Sequence, residues 1–106
     1  MSLAMMPGHL YILGCSDGSY YVASTSNLEI RLAQHQAGDG GRYTAQRLPV
    51  KLLYSCQFGS PYEAFLRERQ VKGWSRQKKE ALIRGEYEAL VELARSKLAD
   101  AEQPPS

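Results

Sequence analysis

The segment HLYILGCSDGSYYVAST, residues 9–25, predicts a β-hairpin. Apolar and aromatic runs cover residues 9–15 and 19–25, and the intervening SDG is a strong signal for a tight turn. In this hairpin Tyr11 and Tyr21 should lie almost opposite each other on adjacent strands. Tyrosine is a common strand residue, so packing alone can explain both. A chemical role depends on the side chains that the rest of the chain brings close to them.

Three side chains mark the starts of helices. Asn27, Ser60 and Ser75 are each suited to accept a hydrogen bond from the open N–H groups of a first helical turn. After Ser60, a proline and a glutamate complete a capping box, which is the clearest start signal in the chain. We expect the three helices to end near residues 36, 72 and 84, because a glycine follows each of these points.

A basic loop and a third strand lie between the first two helices. GDGGRYTAQR, residues 38–47, predicts a Gly-rich loop, and PVKLLYSCQF, residues 49–58, predicts a strand buried on at least one face. The element order ββαβα with further C-terminal helices indicates an α+β fold, in which helices flank a small, three-stranded, mostly antiparallel sheet. The expected boundaries are a flexible leader at 1–8, a domain at 9–84, an amphipathic helix at 85–100 and a disordered tail at 101–106.

The composition is that of an ordinary globular domain. The chain has 106 residues, of which 43% are hydrophobic and 23% charged, enough for one core. No apolar run approaches the roughly 20 residues that cross a bilayer, and residues 1–10 lack the features of a signal peptide. Cys15 and Cys56 cannot form a disulfide framework or a four-ligand metal site. We therefore expect reduced thiols, a cytoplasmic location and no membrane partner.

Charge is distributed unevenly along the chain. Residues 1–85 hold eleven Lys and Arg against six Asp and Glu, whereas residues 86–106 hold two against five. A basic body with an acidic C-terminal segment is compatible with a polyanionic partner. The densest basic stretch, RERQVKGWSRQKK at residues 67–79, carries six cations around Trp74. This pattern suits contact with phosphates, although Trp74 itself is better interpreted as a core anchor.

Arg31 lies unusually close to the packed face of the first helix. On a helical wheel it falls beside the apolar stripe of Leu28 and Leu32, so its guanidinium can reach over the sheet. His35 follows one turn later on the same side. The alternative interpretation is an arginine that buries its stem and exposes its charged head.

Glu68 has a similar position on the helix that follows Ser60. The wheel places it near Ala64 and Phe65, so its neighbours are apolar. A carboxylate at the edge of a packed face is costly unless a cation accompanies it. That partner can be an arginine, a lysine or a divalent metal ion, and a structural salt bridge is the simplest alternative to a functional role.

Taken in order, these segments resemble the small stand-alone bacterial GIY-YIG domain proteins. The similarity is carried by YIL, DGS-x-Y, LEIRLAQH, GGRYT, PVKLLYS and EAFLRERQVKGWSRQKKEAL, and it covers about residues 9–84. The family name describes two tripeptides on neighbouring strands, which here are HLY at 9–11 and YVA at 21–23. His9 and Ala23 stand where the family has glycine. Glycine permits close backbone approach or an unusual φ, so Ala23 bears on activity more than on fold.

The resemblance implies a metal-dependent endonuclease that hydrolyses DNA phosphodiester bonds. One tyrosine would accept the proton of an attacking water, and the sequence leaves open which of the two it is. Arg31 would bind the scissile phosphate, and Glu68 would hold one Mg²⁺ or Mn²⁺ ion. Because one carboxylate is weak ligation for Mg²⁺, we expect the free protein to bind it poorly. The implied catalytic residues are Tyr11, Tyr21, Arg31, His35 and Tyr43, and the expected nucleic-acid-binding residues are Arg42, Arg47, Lys72, Arg76, Lys78 and Lys79.

Two other functions remain open at this point. The same basic surface can serve a nucleic-acid-binding module that does not cleave its partner. Alternatively, the helix within residues 86–100 can serve a protein-interaction domain, as a homodimer contact or a site for another protein. A nicking assay separates the first alternative from a nuclease, and the salt dependence of binding separates the two alternatives from each other.

Overall fold

A small antiparallel sheet with helices on both faces forms the main body of the protein. The computed structural model describes residues 6–88, 90 and 91. The strands follow the order β2-β1-β3 and all pairings are antiparallel, so β1 is central and β2 is an edge strand. This confirms the predicted α+β fold. The elements are β1 (Gly8–Gly14), β2 (Tyr20–Thr25), α1 (Leu28–Gln36), α2 (Arg42–Ala45), β3 (Lys51–Phe58), α3 (Pro61–Lys72) and α4 (Arg76–Arg84).

The chain divides into two compact units, residues 1–73 and 74–106. The first unit contains the sheet and α1 to α3, and the second contains α4. Tyr87, Glu88, Leu90 and Val91 are helical, at the start of the expected C-terminal helix. The rest of that helix, most of the predicted leader and the whole predicted tail lie outside the described residues. Within the described chain, no helix has both the length and the apolar character that crossing a bilayer requires.

The predicted cap residues begin their helices. Asn27 Oδ1 accepts from the N–H of Ile30 at 3.1 Å, and Ser60 Oγ accepts from the N–H of Glu63 at 3.2 Å. The Ser75 hydroxyl caps α4 in the same way. The capping box differs from the usual form, because the Glu63 carboxylate accepts from the N–H of Gly59 rather than that of the cap residue. The predicted loop at 38–47 is wrong in one respect, since it contains the short helix α2.

The hairpin register puts both tyrosines on one face of the sheet. Tyr11 pairs with Ala23, and Tyr21 pairs with Leu13, so the two phenols are diagonal neighbours rather than directly opposite. Their face packs against Leu28 and other apolar side chains of α1. Tyr11 is completely buried, whereas Tyr21 is partly exposed.

The other face of the hairpin packs against α3. Leu10 and Ile12 point to this face and are buried, and α3 contributes the buried Ala64 and Val71. The strand and the helix approach so closely at Gly8 that any side chain there would overlap the start of α3. Alternate residues of β1 therefore meet different helices, α1 on one face and α3 on the other.

Candidate active site

His35 is the centre of a buried polar chain on the α1 face. Its Nε2 lies 2.8 Å from the Tyr11 hydroxyl, and its Nδ1 lies 2.9 Å from Oγ1 of Thr44 in α2. His35 is completely buried and Thr44 almost so. Thr44 lies next to a predicted site residue in GGRYT, but no sequence pattern distinguished it. These hydrogen bonds therefore link the hairpin, α1 and α2 through buried side chains.

Tyr11 and His35, the two ionisable groups in this chain of hydrogen bonds, are held in their neutral forms. Burial, with a smaller contribution from the nearby charge of Arg31, lowers the pKa of His35 below its ordinary value. Burial also raises the pKa of Tyr11, more than its interaction with Arg31 lowers it. Since the Tyr11 oxygen already faces the Arg31 donors, we assign its hydroxyl as donor to His35 Nε2. The His35 Nδ1–H then donates to Thr44.

The guanidinium of Arg31 reaches over the sheet, the first of the two orientations considered from the sequence. It donates to Oε1 of Gln34 at 3.0 Å and to the backbone carbonyl of Gly40 at 3.2 Å. Gly40 is essential for this arrangement, because a Cβ at that position would overlap the His35 ring. Held by these two hydrogen bonds, Arg31 lies beside the Tyr11 hydroxyl and is partly exposed.

A stack of planar groups leads from the buried histidine to the surface. The Tyr21 ring meets the edge of His35 with centroids 5.4 Å apart, and it stacks on Tyr43 at 5.7 Å and 22°. The guanidinium of Arg47 covers the Tyr43 ring, with its Cζ 3.7 Å from the centroid. Tyr21 is thereby held between His35 and Tyr43. Of the three site phenols, Tyr11 is buried, Tyr21 is partly exposed and Tyr43 is 39% exposed.

Arg47 joins α2 to the hairpin turn. Its Nε donates to Asp17 Oδ2 at 2.9 Å, and one terminal nitrogen donates to the carbonyl of Tyr43 at 3.0 Å. The Tyr43 hydroxyl donates to Ser19 Oγ at 2.8 Å. Hydrogen bonds from Ser19, and then Arg47, lower the pKa of Asp17. Arg47 thus has several protein contacts, and its binding to nucleic acid stays a prediction.

Glu68 approaches the hairpin from the opposite face. It lies on the inner side of α3 between Ala64 and Val71, and its side chain is 13% exposed. Its Oε1 accepts from the Ser24 hydroxyl at 2.6 Å, and its Oε2 lies 2.7 Å from Nζ of Lys72. A lysine is therefore the cation partner that the sequence required. The expectation for Phe65 was wrong, since its side chain points outward and is 44% exposed.

Of the six predicted catalytic and metal-binding residues, the structure brings five together on one face. Glu68 is separated from them by the thickness of the sheet, because Ser24 and its neighbour Ala23 point to opposite faces. Glu68 is still close enough for its charge to contribute to the raised pKa of Tyr11. Since β2 is an edge strand, groups from the two faces can both be reached along its open side. The five are Tyr11, Tyr21, Arg31, His35 and Tyr43.

Ala23 fits the strand without strain. It pairs with Tyr11, is 8% exposed and belongs to the same apolar cluster as Tyr11 and Leu13. In the described part of the chain, positive φ angles occur only at glycines. The alanine thus adopts ordinary extended backbone, and its methyl fills core space. The backbone conformation at this position does not require glycine.

The oxygen ligands at Glu68 fit a hard divalent cation. A carboxylate with a neighbouring hydroxyl suits Mg²⁺ or Mn²⁺, which usually keep several waters and borrow phosphate oxygens. Among residues 6–88, 90 and 91, no group of three or more His, Cys, Asp or Glu side chains could enclose a metal. A metal ion at Glu68 would therefore depend on substrate and water for most of its ligands.

The remaining predicted cations lie in different environments. Arg42 is exposed at the start of α2, and Lys72 is paired with Glu68. Three belong to the second unit, where Arg76 forms an ion pair with Glu80 at 3.2 Å and Lys78 lies 4.5 Å above the Trp74 ring. Trp74 is only partly buried, not the full core anchor expected. Lys79, the third, is also partly buried.

Comparison with known proteins gives consistent matches over this region. Residues 7–81 match the model of the GIY-YIG catalytic domain. A UPF0213 protein from Halobacterium salinarum is 47% identical over 71% of this chain and 97% of its own length. A UPF0213 protein from Staphylococcus haemolyticus is 44% identical over 74% of this chain and 96% of its own length. Such relatives thus occur in both archaea and bacteria.

A solved structure supports the same assignment. The solution NMR structure of a protein from E. faecalis is 33% identical, covers 76% of this chain and 86% of its own, and superposes with a TM-score of 0.52. Residues 7–81, which the family model matches, span the hairpin, α1 and α3, and so include every group described on the two hairpin faces. The chain therefore belongs to the GIY-YIG catalytic domain family.

Proposed function

We propose that this protein is a metal-dependent endonuclease that hydrolyses phosphodiester bonds of DNA. One observation carries the proposal: a single helix places the Arg31 guanidinium beside the Tyr11 phenol, and the fully buried His35 against both Tyr11 and Tyr21. Membership of a catalytic-domain family supports a nuclease-type reaction. The choice of DNA rests on the basic character of residues 1–85 and on the resemblance of the motifs.

Tyr21 is the phenol best placed to contact an attacking water. Tyr11 is completely buried, its pKa is raised, and its hydroxyl is committed to His35. Tyr21 is partly exposed on the same face, with its ring held between His35 and Tyr43. We assign the phenolate form of Tyr21 as the acceptor of the water proton, which returns it to the neutral phenol, and Tyr11 as the group that orients Arg31 and His35.

Arg31 offsets charge on the phosphoryl oxygens. Its guanidinium is fixed by the Gln34 side chain and the Gly40 carbonyl, and it remains partly exposed on the site face. A pre-positioned cation lowers the barrier because it needs no reorganisation when negative charge develops. Losing one such donor typically costs about 10²–10³ in rate.

Glu68 would hold the divalent ion, and Ser24 would keep its carboxylate in place. When bound, the ion polarises a phosphate oxygen and stabilises the leaving oxygen. The substrate backbone would follow the open side of β2, because only there can it reach Arg31 from one face and Glu68 from the other. Substrate phosphates would complete the ligation that the protein leaves open.

A nicking assay tests this function. Supercoiled plasmid, single-stranded DNA and branched DNA would be incubated with the wild-type protein and with Mg²⁺, Mn²⁺ or chelator. We expect metal-dependent cleavage that falls at least about 100-fold in Arg31→Ala and in Glu68→Ala. Matched controls are Arg67→Ala and Glu29→Ala, which remove the same charges at exposed positions outside the site. Cleavage by Arg31→Ala at the wild-type rate would rule out the assigned role.

A nucleic-acid-binding module without nuclease activity is the second candidate. The contact that favours it is the Lys72–Glu68 pair, because it occupies one oxygen of the carboxylate that the reaction needs. In that case all the DNAs would bind with steep salt dependence but would not be cut under any metal condition.

A further inference from the structure

The carboxylate of Glu68 has two partners of different kinds. Oε1 accepts from the Ser24 hydroxyl at 2.6 Å, and Oε2 is paired with the Lys72 ammonium at 2.7 Å. Ser24 belongs to the partly buried edge of the sheet, whereas the Lys72 side chain is 54% exposed. One partner is part of the folded framework, and the other extends from the surface.

Lys72 is also the easier of the two to move. It is the last residue of α3, directly before the Gly73 cap, and its four-carbon stem can turn the ammonium into solvent. The lysine end of the pair is weakly held, because water screens the ammonium and the long side chain loses freedom in holding the contact. The carboxylate is only 13% exposed, so Lys72 can leave at little cost only when another cation takes its place.

A metal ion and the ammonium compete for Oε2. Both are cations, and two like charges held on one oxygen repel each other at contact distance even though the oxygen has two lone pairs. Oε1 keeps its bond to Ser24 in either case, so the carboxylate would not need to turn. Exchange at one oxygen is the simplest way to load this site.

We propose that Lys72 occupies the metal position on Glu68 in the metal-free protein, and that a divalent cation binds by displacing it. The inference rests on the proposed function, since it takes Glu68 as the metal ligand. Lys72 thereby holds the carboxylate in position before the metal arrives. It also weakens metal binding to the free protein, so that retention of the metal depends on substrate phosphates.

Mn²⁺ binding to the free protein tests the competition without any measurement of activity. Free Mn²⁺ would be followed by electron paramagnetic resonance, with no nucleic acid present, in wild type and Lys72→Met. Methionine removes the charge and keeps most of the apolar stem. We expect Lys72→Met to bind Mn²⁺ roughly three- to tenfold more tightly, the size expected for removing one unit charge at a solvent-exposed contact.

Two further variants separate the inference from the function it rests on. Arg67→Met removes one positive charge from the same helix without touching Glu68, and it should change Mn²⁺ affinity by less than about twofold because salt screens distant charges. Glu68→Gln should lose the binding. If Lys72→Met binds no more tightly than Arg67→Met while Glu68→Gln loses binding, the competition is wrong and the metal site stands. If Glu68→Gln binds like wild type, the metal site and the inference both fail.

Discussion

The two faces of the β1–β2 hairpin hold their polar groups in different ways. On the α1 face, His35 is fully buried and both of its ring nitrogens are bonded to buried hydroxyls. On the α3 face, Glu68 remains 13% exposed and one of its two partners is a solvent-exposed lysine. Breaking a bond of His35 leaves an unpaired polar group in the core, whereas the solvent-exposed Lys72 can leave Glu68 when another cation takes its place. Folding thus fixes the α1 face, and a ligand can rearrange the α3 face.

Gly40→Ala should give the largest loss of stability, because it acts on the fixed face. The new methyl would overlap the His35 ring and disturb its bond to Thr44. Forcing an extra carbon into a packed site typically costs 1–3 kcal/mol, and we expect a decrease in the free energy of unfolding near the upper limit, about 3 kcal/mol. Urea unfolding followed by circular dichroism measures it.

Gly73→Ala is the matched control for this change. Gly73 has φ of −82°, and a Cβ there would make only an ordinary contact of 3.6 Å. Its unfolding free energy should change by less than about 0.5 kcal/mol. Equal effects of the two substitutions would show that the His35 site tolerates the added methyl and is not the rigid face of the hairpin.

His35→Gln should have the next largest effect and should change the pH dependence of stability. Loss of the imidazole breaks two buried hydrogen bonds, and we expect the free energy of unfolding to fall by about 2 kcal/mol at pH 7.5. Because burial lowers the pKa of His35, its contribution is complete above the ordinary value of 6.5 and decreases as pH falls below it. Wild-type stability should therefore drop from pH 7 to 5 more than that of the variant.

The measurement is the difference in unfolding free energy between wild type and His35→Gln at several pH values. That difference should shrink as the solution is acidified. His9 is present in both proteins and cancels from the comparison. A constant difference across this range would mean that His35 is not held neutral by its surroundings.

Ser24→Ala should give the smallest of the three effects, because it acts on the adjustable face. It removes the bond to Glu68 Oε1 and leaves the carboxylate partly solvated, with its lysine partner still present. We expect a loss of about 1 kcal/mol in unfolding free energy. Ser26→Ala, an exposed serine two residues later, is the control. A loss as large as that of Gly40→Ala would erase the distinction between the two faces.

The sequence predicted best what depends on local chemistry. The caps at Asn27, Ser60 and Ser75 and the hairpin turn all follow from short-range hydrogen bonding, and all are present. For Arg31 the helical wheel left two orientations open, because the apolar stripe of α1 fixes which way the helix faces but not where a long side chain at its edge ends. The helical wheel was less accurate for α3, because it placed Phe65 on the packed side, whereas Phe65 is exposed.

The parts that the sequence did not predict depend on contacts between distant segments. The bonds of Thr44 to His35 and of Ser24 to Glu68 join residues 9 and 44 positions apart. Helix α2 is only four residues long, too short for a periodic pattern. Lys72 was assigned to nucleic acid, although it stands four residues after Glu68, the spacing of a helical ion pair.

The position of the single tryptophan determines what an optical experiment can observe. Trp74 is the only tryptophan of the chain, and it begins the second unit, where the Lys78 ammonium lies over its ring. Its emission therefore reports on the surroundings of the first residue of the second unit. Tyrosine emission would report mainly on the first unit, which holds six of the seven tyrosines.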